Sequence, residues 1–304
     1  MPQFDKLLTD VGPGDPPAQA AQRALKTRLR AAVFYLGQVA SADDPAEQIH
    51  QLRIWTRRSA AALKLFAPLL PQRKSRRLKK TLRRLRQSAG AVRDLDVIEA
   101  QLGESLHGPL AERLKEQRRA ANKDFKRLVR RWGTKGKLKR KVKRLLGCLD
   151  KQRPHHAGNG VAFAPWCRGQ LAPQVKEFAE LARRGVGQSD ARLHEWRLAT
   201  KRLKYALELA AIALPKKSWS QQYELLGDLQ DRIGRVCDAL VEQQRLLAWR
   251  RETSDREERK VLAGLLVDCR RRLTAAKKGL GRWWNAGRSK SAKRLCGQAG
   301  LVEL

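Results

Sequence analysis

The sequence predicts an all-α protein made of two similar halves, each an antiparallel four-helix bundle. Three observations carry this reading. Apolar residues recur at helical spacing along almost every long stretch, as in Leu78, Leu82, Leu85, Ala89 and Val92, and again in Leu225, Leu229, Ile233 and Val236. No segment shows the β-branched alternation of a strand. Finally, His50, Arg53, Thr56, Arg57 and Arg58 stand in the pattern H-x-x-R-x-x-T-[RK]-R, and His194, Arg197, Thr200, Lys201 and Arg202 repeat it 144 positions later. The register then holds without a gap: Leu82, Leu85, Gly90, Val92 and Asp94 fall on Leu226, Leu229, Gly234, Val236 and Asp238. Such an offset marks a tandem duplication.

Punctuation sets the elements. A first helix spans about 16–40 and stops at Ser41-Ala42-Asp43-Asp44-Pro45. There Asp44 is placed to cap the next helix, with Pro45 at its first position. That helix, about 44–67, holds His50 and ends at Pro68 and Pro71. Helices near 72–103 and 106–149 complete the first repeat, about 16–150. Arg153 to Pro165, rich in Pro, Gly and His, reads as part of a linker over 151–165. The second repeat, about 166–285, takes helices near 166–185, 190–214, 217–251 and 255–285. Ser189 or Asp190 caps its His helix and Pro215 ends it. Short connections favour antiparallel neighbours, hence a bundle in each half. Residues 286–304 read as a basic, small-residue-rich tail.

The chain of 304 residues carries 66 Lys and Arg against 30 Asp and Glu, a formal charge of +36. A surplus of that size repels itself and calls for a bound counter-charge. It is not uniform: residues 1–48 are balanced, whereas 113–153 set many cations against only Glu116, Asp124 and Asp150. The five cysteines, Cys148, Cys167, Cys237, Cys269 and Cys296, are widely spaced with no C-x-x-C pair. That pattern disfavours a disulfide scaffold or a zinc site and suits a reducing cytosol. Residues 1–20 lack the cationic start and apolar core of a secretory signal, and no apolar run is long enough to span a bilayer. A cytoplasmic protein is expected, with no membrane partner.

Chemistry concentrates on the repeated helix. At 100° per residue His50, Arg53, Arg57 and Lys64 share one face, with Arg58 flanking them, while Leu52, Thr56, Leu63 and Phe66 point to the core. The second copy gives His194, Arg197 and Lys201, flanked by Arg202 and Lys204, and its row is expected to be partly neutralised by Glu208. Lys79, Arg83, Arg86 and Arg93 form a further row on the next helix of the first copy, but its counterpart carries Asp228 and Asp231 with only Arg232 and Arg235. Like charges at i,i+4 disfavour a helix, and a solvated face normally mixes signs. Single-sign rows suit phosphate, which Arg forks grip bidentately and Lys meets as a point charge. A solvated face is the plainer alternative.

Other constellations read as structure. Each repeated His is either a hydrogen-bonding residue at a core edge or a proton site coupled to a bound phosphate. Neither has a His or Cys partner at i+3 or i+4, so no metal is expected. His155 and His156 read as loop, and His107 has no visible partner. Asp94 and Asp238 are expected to hold an Arg of the neighbouring row, with Gly90 and Gly234 allowing close approach or a bend. Trp55, Trp196, Trp219, Trp283 and Trp284 read as packing, and aromatics at 6% are thin for a protein that stacks on single strands. There is no P-loop, no G-x-S-x-G and no acidic set for two-metal catalysis.

The doubled H-x-x-R-x-x-T-[RK]-R, followed by Gly90, Arg93, Asp94 and Asp96 as G-x-x-R-D-x-D, resembles the conserved histidine α-helical domain (CHAD) family over about 16–285. The resemblance implies two four-helix bundles about a pseudo-twofold axis with a basic central groove or cavity. It also implies binding of inorganic polyphosphate and a place on polyphosphate granules. It reaches His50, Arg53, Arg57, Arg58, Arg93, His194, Arg197, Lys201 and Arg202. The second copy departs from the first with Cys237 at the position of Arg93 and with Gly227 and Asp228 at those of Arg83 and Arg84, which sets the two halves apart in charge. Some relatives carry an N-terminal triphosphatase domain; nothing before residue 16 fits one, so a stand-alone module is expected. The reading is therefore a non-catalytic polyphosphate binder that needs no cofactor. Its phosphate contacts are His50, Arg53, Arg57, Arg58, Lys79, Arg83, Arg86, Arg93, His194, Arg197, Lys201, Arg202 and Lys204. The alternatives are a nucleic-acid binder without sequence preference, against which no recognition motif is present, and an accessory subunit of a polyphosphate-metabolising enzyme.

Overall fold

The computed structural model describes residues 4–8, 10–42, 45–103, 108–156, 160–187, 189–284 and 288. Among them the fold is all-α, with no strand. The helices are α1 (Pro17–Ser41), α2 (Ala46–Leu65), α3 (Gln72–Leu102), α4 (Gly108–Val129), α5 (Lys137–His156), α6 (Phe163–Arg184), α7 (Asp190–Leu207), α8 (Lys216–Glu252) and α9 (Arg256–Trp283). The proposed cap at Asp44, His107 and the tail from residue 289 lie outside the described residues.

Three expectations change. The helix expected over 106–149 is two, because residues 130–134 form a wide π turn and Gly136 takes the left-handed conformation with φ +60°. Gly133 in that turn lies close to α1: an added Cβ would stand 3.2 Å from Leu36 Cγ and 3.4 Å from the Leu36 carbonyl oxygen, so a side chain there would require Leu36 to give way by a few tenths of an ångström. The second His helix stops at Leu207, not near 214, and continues as turns to Pro215. In the other direction, α5 runs through Pro154 to His156, inside the stretch read as linker.

The chain divides into two compact units that do not follow the repeat boundary. The first comprises Met1–Ala100, Arg113–Leu171 and Tyr205–Lys216. Its core is packed from Leu25, Leu29, Leu36, Leu52, Leu63 and Phe66, all at most 1% exposed, and α1 lies against both α2 and α5. Phe66 stacks on Phe163 and Trp166. The second unit comprises Gln101–Glu112, Ala172–Lys204 and Lys217–Leu304. Phe178, Leu193, Trp196, Leu229, Ile233 and Trp249 fill it. The boundaries fall inside helices: in α3 after Ala100, in α4 after Glu112, in α6 after Leu171, in α7 after Lys204 and at the first residue of α8. The one in α6 lies beside Pro173, where the ring removes a helix hydrogen bond. Caps match their chemistry: Asp255 accepts from the Glu257 and Glu258 amides at the start of α9, and Ser189 accepts from the Arg192 amide at the start of α7. Thr56 and Thr200, at matching positions, are fully buried and return their hydroxyls to carbonyls of the preceding turn.

Candidate functional site

In the first unit α2 and α3 form an antiparallel hairpin, joined by the turn Ala67–Leu69 and Pro71. Side-chain neighbours fix its register. The Arg53 guanidinium lies over Gly90, where an added Cβ would stand 3.2 Å from its Nη1, and donates to the Ala89 carbonyl at 3.2 Å. Arg57 faces Arg86, and Lys64 faces Lys79, close enough for each to lower the proton affinity of its partner on α3. The facing positions are therefore 53 with 90, 57 with 86, 60 with 83 and 64 with 79. Cations from both helices meet along one groove of the hairpin.

This groove is electrostatically crowded. Burial comes first in lowering the Arg86 pKa, followed by the neighbouring charges of Arg57 and Arg83. Lys79 is lowered by burial and by Lys64. No ion pair joins Arg57, Arg83 or Arg86 to a carboxylate among the described residues. Arg57 instead lies within hydrogen-bonding range of the Tyr205 hydroxyl, whose pKa is raised chiefly by its own burial. Arg93 is half-buried on α3 without a hydrogen bond or ion pair to a described residue. Arg57, Arg83 and Arg86 are thus close enough to influence one another, with no carboxylate ion-paired to them among the described residues.

Not every expected residue points there. Arg58 is tied to Glu208 by two bonds of 2.9 Å and lies over the Trp55 ring at 4.7 Å, an arrangement that holds structure. Glu208 does not neutralise the second cationic row. It is fully buried in the first unit, between Arg58 and the equally buried Arg28, which also donates to the carbonyls of Arg58, Tyr205 and Lys6. A charge reversal inside the repeat, Lys64 against Glu208, was the one signal in sequence that this position serves another purpose. Nothing comparable pointed to Tyr205 or Arg28. Asp94 does hold Arg53, at 3.8 Å.

In the second unit α7 and α8 repeat the hairpin. Arg197 pairs with Asp238 at 2.9 Å, the counterpart of Arg53 with Asp94, and Lys204 lies over Gly227, where an added Cβ would meet its Nζ at 3.2 Å. Gly234, by contrast, has nothing within 4 Å of an added Cβ, so the close approach seen at Gly90 is not repeated there. Lys201 lies near Cys237, the buried thiol at the place of Arg93. Arg202 pairs with Glu177 at 2.5 Å. His50 and His194 are both exposed. Trp55, Trp196 and Trp284 are buried as packing residues, and the half-buried Trp219 stacks on Tyr223. Among the described residues no three His, Cys, Asp or Glu side chains converge as metal ligands, and no helix is long and apolar enough to cross a membrane.

A family model described as the CHAD domain matches residues 23–247. Among solved structures, the crystal structure of the CHAD domain from the plant Ricinus communis is similar with a TM-score of 0.68 and 22% identity, covering 99% of this chain and 97% of that one. PptA from Streptomyces chartreusis is similar with a TM-score of 0.65 and 16% identity, covering 92% of this chain and 100% of that one. At these identities the likeness concerns the fold. No match was found among curated proteins.

Proposed function

The chain belongs to the CHAD domain family, and on that premise we propose that it binds inorganic polyphosphate without turning it over. The observation that carries this is the α2–α3 groove, where burial and the neighbouring charges of Arg57 and Arg83 lower the pKa of Arg86, and none of the three pairs with a carboxylate among the described residues. A linear polyanion threaded along such a groove replaces its counterions, and their release supplies much of the binding free energy, as for nucleic acids. Bidentate Arg contacts fix the chain locally, and the remaining surplus of charge draws it in. No base-reading element accompanies the groove, so nucleic acid is the weaker ligand in this reading. A place on polyphosphate granules in the cytoplasm follows from the ligand.

The test is a competition. Labelled long-chain polyphosphate and duplex DNA are offered at equal phosphate concentration over a series of salt concentrations. Polyphosphate is expected to displace DNA throughout. DNA that resists displacement, or binds with sequence preference, overturns the reading. Incubation with polyphosphate and Mg²⁺ or Mn²⁺ is expected to release no phosphate; sustained release would make the protein an enzyme.

A further inference from the structure

The cations of the two hairpins match by place and not by residue. Position 60 faces position 83 in the first hairpin, and the pair is Ala60 with Arg83. The same pair in the second hairpin is Lys204 with Gly227. Compared residue by residue, the second copy has lost an arginine. Compared across the hairpin, one cation and one small residue are present in both copies, exchanged between helices. The structure shows why the exchange fits: the Lys204 ammonium lies over Gly227, in the space that a side chain at 227 would enter, and is held over the Tyr223 ring at 5.2 Å. The pair at 53 and 90 obeys the same rule, with the Arg53 guanidinium over Gly90. At these two pairs a long cation on one helix lies over a small partner on the other, whereas at 57 with 86 and 64 with 79 two long cations face each other and repel.

We propose that Lys204 is the second hairpin's phosphate-binding equivalent of Arg83, supplied from the opposite helix. Each cross-hairpin pair, and not each residue, is then the unit of the binding face. The inference rests on the polyphosphate reading above.

The exchange can be made by mutation in either direction. Affinity for long-chain polyphosphate is measured over a salt series, with circular dichroism as the folding control. Arg83→Gly should lower the slope of log K against log salt by up to about one unit. Adding Ala60→Lys should restore it, since the cation returns to the same place from the facing helix. Adding Ala120→Lys instead, at an exposed position of α4, restores the same total charge and should not restore the slope. In the second hairpin Lys204→Ala should lower the slope, and Lys204→Ala with Gly227→Arg should recover it. A wild-type protein that fails to bind polyphosphate refutes the function itself. A wild type that binds, with neither exchange rescuing its single variant, refutes the pair rule alone. So does rescue by Ala120→Lys equal to that by Ala60→Lys.

Discussion

At the scale of single residues, burial decides what a charge is for. Glu208 and Arg28 are at most 2% exposed, and the carboxylate answers both Arg28 and Arg58. Removing it takes the carboxylate away from a buried guanidinium. Glu208→Ala should therefore cost about 3–5 kcal/mol of stability in a urea titration. Glu177→Ala, which breaks the half-exposed pair with Arg202, should cost under about 1 kcal/mol. Equal losses would show that the triad is not the anchor described. Lys79 gives a pH prediction. Its folded pKa lies below the ordinary 10.5, through burial and then Lys64. Between those two values the unfolded chain binds more protons, so this residue's penalty on folding fades as pH rises through the window. A bound polyanion restores the proton, so binding should take up protons there and weaken with rising pH. Calorimetry in buffers of different ionisation enthalpy measures the uptake, and Lys79→Arg should reduce it. Uptake unchanged in that variant would place the proton elsewhere.

At the scale of elements, the α2–α3 hairpin gathers like charges, which is unfavourable for the fold and suits the proposed ligand. Arg86 is desolvated among like charges, so Arg86→Met, which keeps the apolar stem, should leave the fold equally or more stable while weakening polyphosphate binding. The pair Arg57→Ala and Arg86→Met should lose more affinity than Lys139→Ala and Arg140→Ala, although each removes two charges. Lys139 and Arg140 are exposed on α5, away from any such register, and serve as diffuse attraction. Salt-dependent titrations of both double variants compare them. Equal losses would mean that total charge alone binds. The cations of this part of α5 are not all alike, however. Lys141 packs over the Trp132 ring at 4.5 Å and donates to the Thr81 hydroxyl, and burial lowers its pKa. The helices themselves were legible because periodicity and prolines mark them; the break at 130–136 was not. A pair of glycines three apart tolerates a helix, and only the approach of Leu36 to Gly133 makes the turn necessary.

At the scale of the whole molecule, a formal charge of +36 works against the compact state. Any polyanion that binds the folded chain should raise its melting temperature. Polyphosphate at about 100 times its dissociation constant should add about 2.7 kcal/mol by linkage. Sodium chloride at matched ionic strength acts by screening alone and should raise it less. An equal rise would make screening, not a site, the source of stabilisation. The two compact units cut across the repeats, with boundaries inside α6 and α7, so the duplicated sequence and the folded body are divided differently.

The sequence by itself determined the helical class, the duplication and the cationic surplus of the chain. Each is written in local spacing or in a sum over residues, and none requires knowledge of which helix meets which. It also determined the matched Arg–Asp pairs, because both copies keep them at the same offset. The tertiary structure decided which cations cluster together and which are held by buried acids. Arg57 and Arg58 are neighbours in sequence and alike in chemistry. One turn of α2 directs Arg57 toward Arg86 and the groove, and Arg58 toward a buried carboxylate 150 residues away. Only packing separates them, since the free energy of a charge depends on what surrounds it and sequence distance does not record that.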